Sequence, residues 1–425
     1  MSLLILFETA KLGDERMNSM SRGESSWGKF GAMLALIIAV TPLWWLHTGA
    51  REFLVSGVPE LCWPGFENCG AWRFASQSRV DLVFIALGVG GLCSALALWF
   101  KPQHRMASAS LALMFAVKLL LSALDYRLRG NHHQMANLVT LIFLLVPRPA
   151  ATFALLIPSF YFAAGLLKLN AEWLSGAALA DRLPLRGWLL ELSLIGIVLM
   201  ELIGIWWLLD RQRSPWRFWS ILGILFVFHL VSIESVGFFY PIVMAALLSC
   251  FLWTKLDWPI FWASSSHAQP VLKRFSLLNL AKSWRASGGE VKLAWIVSGV
   301  FVGVQFLPAL ISARNDLSGE GRLIASSMVH NRTECRGFMR AQWGVHEAQI
   351  PMPVMQLPIR IWCDPLVFYN HARQMCREQN PDRLDWYLLS RNTSEAEYQL
   401  IVQARDFCRD PRRYPWLGKL PWGGQ

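Results

Sequence analysis

Between Val80 and Phe100 the chain reads VDLVFIALGVGGLCSALALWF, a run in which Asp81 is the sole charge. A hydrocarbon layer of roughly 30 Å takes on the order of 20 helical residues to cross. Lipid offers no partner to backbone amides and carbonyls, so a run of this length and polarity must close its own hydrogen bonds as a helix. Outward from it, the segments 30–46, 106–124, 150–167, 188–209, 218–232 and 293–311 meet the same condition. Two others, 134–146 and 238–253, are short and must tilt, extend into polar flanks, or enter partway and return. Together they predict an all-α polytopic membrane protein with about nine transmembrane helices.

Composition agrees. Of 425 residues, 54% are hydrophobic and 16% charged, too apolar a balance for a soluble chain of this length. The 22 Trp and 25 Phe fit rings that collect where hydrocarbon meets water. A net charge of +11 raises the question of nucleic acid, but Lys and Arg lie in short loops between apolar runs rather than along one polar face. No nucleic-acid partner is expected, and those loops serve as orientation signals. With the N-terminus inside, the inner segments hold 16 Lys or Arg against 7 in the outer loops 48–79, 125–133 and 169–187. The expected organisation is a cytoplasmic tail (1–29), a transmembrane domain (30–311) and a domain at 312–425 that is periplasmic or lumenal. Residues 1–29 are polar and mixed in charge and do not read as a cleaved signal.

Six of the eight cysteines then face an oxidising compartment: Cys62 and Cys69 in the first outer loop, and Cys335, Cys363, Cys376 and Cys408 in the C-terminal domain. All six are disulfide candidates, with a Cys62 to Cys69 bridge favoured and the other connectivity left open by sequence. The C-terminal domain reads as α+β, with strand character at 359–362 and helical periodicity at 365–378 and 393–407. Asn331-Arg332-Thr333 and Asn392-Thr393-Ser394 match the glycosylation acceptor pattern.

Ionisable groups within spans cost about 2.5–3.5 kcal/mol at a helix centre on insertion scales, which makes each a candidate for function. Lys168 ends the fifth span, beyond the small residues Ala163, Ala164 and Gly165, near the outer interface. His132 and His133 open the fourth span, and His229 lies toward the outer end of the seventh, followed by Glu234 and Gly237. Lys118 and Asp125, seven apart, are expected on one face of the third span, and Glu191 and Glu201 lie on the sixth. A lysine at a helix end also snorkels to the interface, and a terminal histidine also caps backbone. The shared depth of Lys168, His132 and His229 points to a site. No metal-ligand spacing, Gly-rich phosphate loop or nucleophile elbow is present, so no metal is expected.

The stretch Tyr161 to Trp173 resembles the membrane domain of vitamin K-dependent γ-carboxylases and their bacterial relatives, the HTTM domain. Asn131-His132-His133, His229 with Gly237-Phe238-Phe239, and Gln305-Phe306-Leu307-Pro308 with Gly319-Glu320-Gly321-Arg322 extend the likeness over about 30–328. The resemblance implies a quinol-dependent carboxylase or epoxidase, a carbon–carbon lyase, with Lys168 as the base that deprotonates a reduced vitamin K or related quinol. His132 and His229 would assist, while Trp173, Gly165, His133 and Glu234 would line the cofactor site. Oxygen and carbon dioxide would be co-substrates, and membrane lipid, quinone and an unidentified protein or small-molecule substrate on the outer side the partners. The C-terminal domain, at about 110 residues, is much shorter than that of animal carboxylases, which speaks against carboxylation of protein glutamates. A second reading is a non-catalytic quinone or lipid binder partnering a redox or export system. A third, a transporter, has only Lys118, Glu191 and Glu201 behind it and no repeated halves.

Overall fold

Five helices in the computed structural model are long and apolar enough to cross a membrane: α1 (Trp27–His47), α3 (Gln77–Phe100), α4 (Arg105–Leu124), α6 (Ala150–Leu167) and α12 (Gly289–Ile311), the last through its stretch Gly289–Pro308. The structure describes residues 27–57, 59–66, 68–101, 105–146, 149–176, 185–253, 289–311, 333–351, 363–392 and 395–409. The tail before Trp27, the strand at 359–362, the junction at 319–322 and the acceptor residues Asn331, Thr393 and Ser394 lie outside them.

The remaining apolar segments form shorter helices. They are α5 (Asn131–Leu145), α8 (Trp188–Leu202), α9 (Pro215–Val231) and α11 (Phe239–Trp253). Fifteen residues, as in α5, α8 and α11, rise only about 22 Å. The continuous helix expected over 188–209 breaks at Ile203 into a 3-10 segment, Gly204–Leu209, where glycine weakens the helix. Four-residue turns of helix complete this part: α2 (Ala50–Phe53), α7 (Ala171–Leu174) and α10 (Ile233–Val236).

Burial sorts these helices into layers. α6 and α11 are buried over most of their length and form the centre, while α3 turns Leu82, Ile85, Val89, Leu92, Leu96 and Phe100 outward. So much exposed apolar surface on one helix suits lipid and not water. At Gly91 the α1 backbone comes so close that an added Cβ would sit 2.8 Å from Ala39 N. Small residues permit this approach between membrane helices.

The C-terminal part is an antiparallel sheet in the order β2-β1-β3-β4, formed by β1 (Thr333–Trp343), β2 (His346–Pro351), β3 (Arg383–Asn392) and β4 (Gln399–Ala404). The helix α13 (Pro365–Gln379) covers one face, as its periodicity predicts. Alternate β3 residues Leu384, Trp386 and Leu388 are buried in one cluster with Leu366, Phe368 and Ala372 of α13. Gly337 leaves room for the Phe368 ring, which an added Cβ would meet at 1.7 Å. The helix expected at 393–407 is instead partly strand, since Val402 and Ala404 bury alternately and 399–404 completes the hydrogen bonds of β3. Pairing across the sheet outweighs the local periodicity there. Three disulfides close the domain and its neighbouring loop, Cys62–Cys69, Cys335–Cys363 and Cys376–Cys408, and Cys93 and Cys250 take no part in them.

The sheet domain is anchored to the loops beside it. Tyr126 donates from its hydroxyl to Asp364 at 2.7 Å, and Asn370 exchanges two bonds with the Cys62 backbone at 3.3 and 3.2 Å. Burial and the Asp364 carboxylate push the Tyr126 hydroxyl above its usual range, so it remains a donor. The expected Lys118–Asp125 face does not form. α4 ends at Leu124, and extended Asp125 caps the next turn while pairing with Arg73 at 2.6 Å and Arg127 at 2.7 Å.

Candidate functional site

Lys168 is the residue that caps the C-terminus of α6, and its main-chain amide still bonds to Ala164 and Gly165 carbonyls, both at 3.2 Å. Asn170 then ends one helix and starts the next, donating to the Leu167 carbonyl at 2.9 Å and accepting from the Trp173 amide at 2.9 Å. This tight corner folds the lysine side chain inward. It is 3% exposed, so it does not snorkel into water. Its Nζ donates to both carboxylate oxygens of Glu201, at 2.5 Å to Oε2, and stands 5.0 Å from the centre of the Trp173 ring.

Gly165 makes this pairing possible. A Cβ there would lie 3.0 Å from Glu201 Cβ and 3.0 Å from a Leu202 methyl, so α6 and α8 meet at a residue without a side chain. Glu201 continues the buried stripe Leu190, Leu194 and Val198 on α8. Thirteen residues of helix separate it from Trp188, about 20 Å of rise. Glu201 is the next-to-last residue of α8, and the apolar run continues beyond it through Gly204–Leu209, so the ion pair sits within an apolar stretch. Two charges taken out of water are held at low cost only when each satisfies the other, as here.

Next along α6, Tyr161 bonds through its hydroxyl to His229 Nε2 at 2.8 Å. The Ser232 hydroxyl donates to the His229 carbonyl at 2.8 Å, shaping the end of α9. Lys168 lies within electrostatic reach of His229, and Glu201 of Tyr161, so the ion pair and the phenol–imidazole pair form one polar cluster. His229 Nδ1 and Trp173 Nε1 are buried there without a hydrogen-bond partner among the described residues.

His132 and His133 occupy the first turn of α5, ring centres 4.5 Å apart and both buried. They belong to an adjoining aromatic chamber rather than to the lysine itself. His132 meets Trp44 at 5.9 Å and Phe239 at 5.1 Å, while His133 meets Trp45 at 5.7 Å and Phe239 at 4.9 Å. Tyr240 connects the two regions, 5.4 Å from the His229 ring and 6.3 Å from that of His132. Gly130, where a Cβ would come within 2.7 Å of the His132 ring, leaves space for that imidazole. Glu234 and Glu191 are exposed and stand outside the cluster.

Of the residues singled out from sequence, Lys168, Gly165, Trp173 and His229 come together, joined by Glu201. His132 and His133 lie one aromatic ring away. Sequence reasoning assigned no role to Tyr161 or Tyr240, although they are the two tyrosines within predicted spans. A phenol in an apolar run needs a hydrogen-bond partner, and that signal could have marked them. Glu60, Cys62 and Cys69 lie within 4.8 Å of one another, but the two sulfurs are bonded to each other and are not metal ligands.

Chemically, the cluster offers an amine and a carboxylate that can trade a proton, a phenol–imidazole pair beside them, and flat aromatic walls. No family model, no curated protein and no solved structure matches the chain.

Proposed function

We propose that the chain is a quinol-dependent membrane enzyme of the vitamin K-dependent carboxylase type, with nine spans, a cytoplasmic N-terminus and the sheet domain on the outer side. The observation that carries this reading is the Lys168–Glu201 ion pair, buried in an apolar bundle beside Trp173 and the Tyr161–His229 bond. An ion pair without solvent needs a reason to persist, and intramembrane ionisable groups mark proton or substrate sites. The unpartnered Trp173 and His229 nitrogens suit a ligand carrying hydroxyl groups, and the aromatic chamber suits a flat ring. When bound, a quinol supplies an acidic hydroxyl and the electrons that reduce oxygen.

The geometry alters the division of labour that the resemblance implies. With Lys168 already bonded to a carboxylate, Glu201 is the basic partner and accepts the proton. The ammonium of Lys168 then stabilises the oxyanion left behind, as preorganised positive charge does in a dry site. His229, oriented by Tyr161, accepts or returns a proton at its free nitrogen.

The test uses purified protein in lipid nanodiscs supplied with a reduced naphthoquinone and oxygen, with epoxide as the readout. Glu201→Gln and Lys168→Met should each reduce turnover about a hundredfold or more. Wild-type turnover in Glu201→Gln would remove the carboxylate from the reaction. The second reading, a non-catalytic quinone binder, is favoured by the closed state of the amine. It is supported if the quinone quenches tryptophan fluorescence saturably while no epoxide forms.

A further inference from the structure

A second lysine lies buried elsewhere in the bundle, and it differs from Lys168 in having no counter-ion among the described residues. Lys118 is 1% exposed on the α4 face that carries Leu111, Phe115 and Leu121. Among the described residues its amine makes no hydrogen bond or ion pair, and no carboxylate acts on it electrostatically. Asp125, the nearest acidic residue in sequence, is taken by Arg73 and Arg127. His133 lies within its electrostatic reach.

His133 is itself incomplete. Both ring nitrogens are buried without a partner among the described residues, and so is the indole nitrogen of Trp45, whose ring stands 5.7 Å from that of His133. The three side chains come from three different helices, α4, α5 and α1, and are 1–3% exposed. Buried polar groups are nearly always bonded, and the unsatisfied nitrogens of His133 and Trp45, with the Lys118 ammonium in electrostatic reach of His133, point to a missing partner. The donors on offer are an ammonium, an indole N–H and an imidazole N–H, so the partner presents oxygen acceptors and negative charge. Phe84, 5.7 Å from Trp45, and Phe239, 4.9 Å from His133, make the surroundings apolar.

We propose that Lys118, His133 and Trp45 form a binding site for a carboxylate, on the α4 side of the aromatic chamber and distinct from the Lys168–Glu201 ion pair. The ammonium binds one carboxylate oxygen, and the indole and imidazole N–H groups share the other. Leu113 and Leu120, exposed on the opposite side of α4, put the amine roughly one helix diameter, about 10 Å, from lipid. The carboxylate can therefore come from a long-chain acid in the bilayer or from a small acid in water.

The experiment measures binding of carboxyl-labelled oleate and of labelled propionate to full-length protein in zwitterionic nanodiscs, reading affinity and the carboxyl carbon NMR shift. Saturable binding of oleate identifies the membrane source and of propionate alone the aqueous one, provided Lys118→Met weakens it about ten- to a hundredfold, the worth of a charge-assisted hydrogen bond. Lys118→Arg should retain the site and the shifted resonance. If Lys118→Met does not fold, Trp45→Phe serves, with about three- to tenfold weaker binding expected from loss of one neutral donor. Failure of both acids to bind, or unchanged affinity in these variants, overturns the proposal.

Discussion

Replacing Glu201 with glutamine should destabilise the helical bundle by about 3–5 kcal/mol, because it leaves a buried ammonium without its counter-ion. Lys168 and Glu201 side chains are each 3% exposed, so water cannot stand in for the missing charge. Glutamine can still accept one hydrogen bond from Lys168, but the charge remains. Lys168→Met should cost a similar amount by stranding the carboxylate. The double variant Lys168→Met/Glu201→Gln removes both charges at nearly constant volume, and should return to within about 1–2 kcal/mol of wild type. The cycle would then yield a coupling of at least about 4 kcal/mol, above the scatter seen for independent sites. Unfolding in mixed micelles by added denaturing detergent, followed by circular dichroism, supplies the four stabilities. Trp173→Phe is the control, expected to lose only the difference between two cation–π partners, about 0.5–1 kcal/mol. Additive single-variant costs, within about 0.5 kcal/mol, would refute the reasoning by showing that the two groups do not act on each other.

Gly165→Ala on α6 should cost about 1–3 kcal/mol, because the new methyl meets Glu201 and Leu202 at 3.0 Å, whereas Gly196→Ala on α8, with nothing within 4 Å, should stabilise slightly; the same unfolding assay separates them. His371 on α13 is held below its ordinary pKa of 6.5 first by burial and then by Arg127. The folded protein thus binds this proton less readily than the unfolded chain, so the stability is complete above pH 6.5 and lost as pH falls through the folded pKa. His371→Gln should flatten that slope in melting curves of the sheet domain. Cys376→Ser/Cys408→Ser opens a loop of sequence separation 32 and should cost about 3–4 kcal/mol, against about 2–3 for the Cys62–Cys69 loop of separation 7, compared by melting temperature.

Much of the architecture is legible in the sequence because the signal is local. The run from Val80 to Phe100 announces a spanning helix through its length and polarity alone, and Pro365–Gln379 declares itself by its period. The short segments around His133 and Phe239 are legible as helices but not as lengths, since extended Gly130 and left-handed Gly237 set where they begin. The region 399–404 was misread as helix because Leu400, Ile401 and Val402 satisfy either period, and only the presence of β3 beside them selects the strand. Lys118 and Asp125 were placed together by counting turns of a helix that stops at Leu124.

The sequence by itself determined that this chain needs lipid, where its long helices lie, and which rare polar groups sit among apolar ones, because each follows from length, composition and spacing within a single segment. Only the tertiary structure decided that Lys168 answers to Glu201, 33 residues away, that Tyr161 holds His229 across 68, and which cysteines join. Such pairings arise when helices close on one another at positions like Gly165, where the missing side chain lets two backbones approach. No window along the chain contains both partners, so no local pattern could announce them.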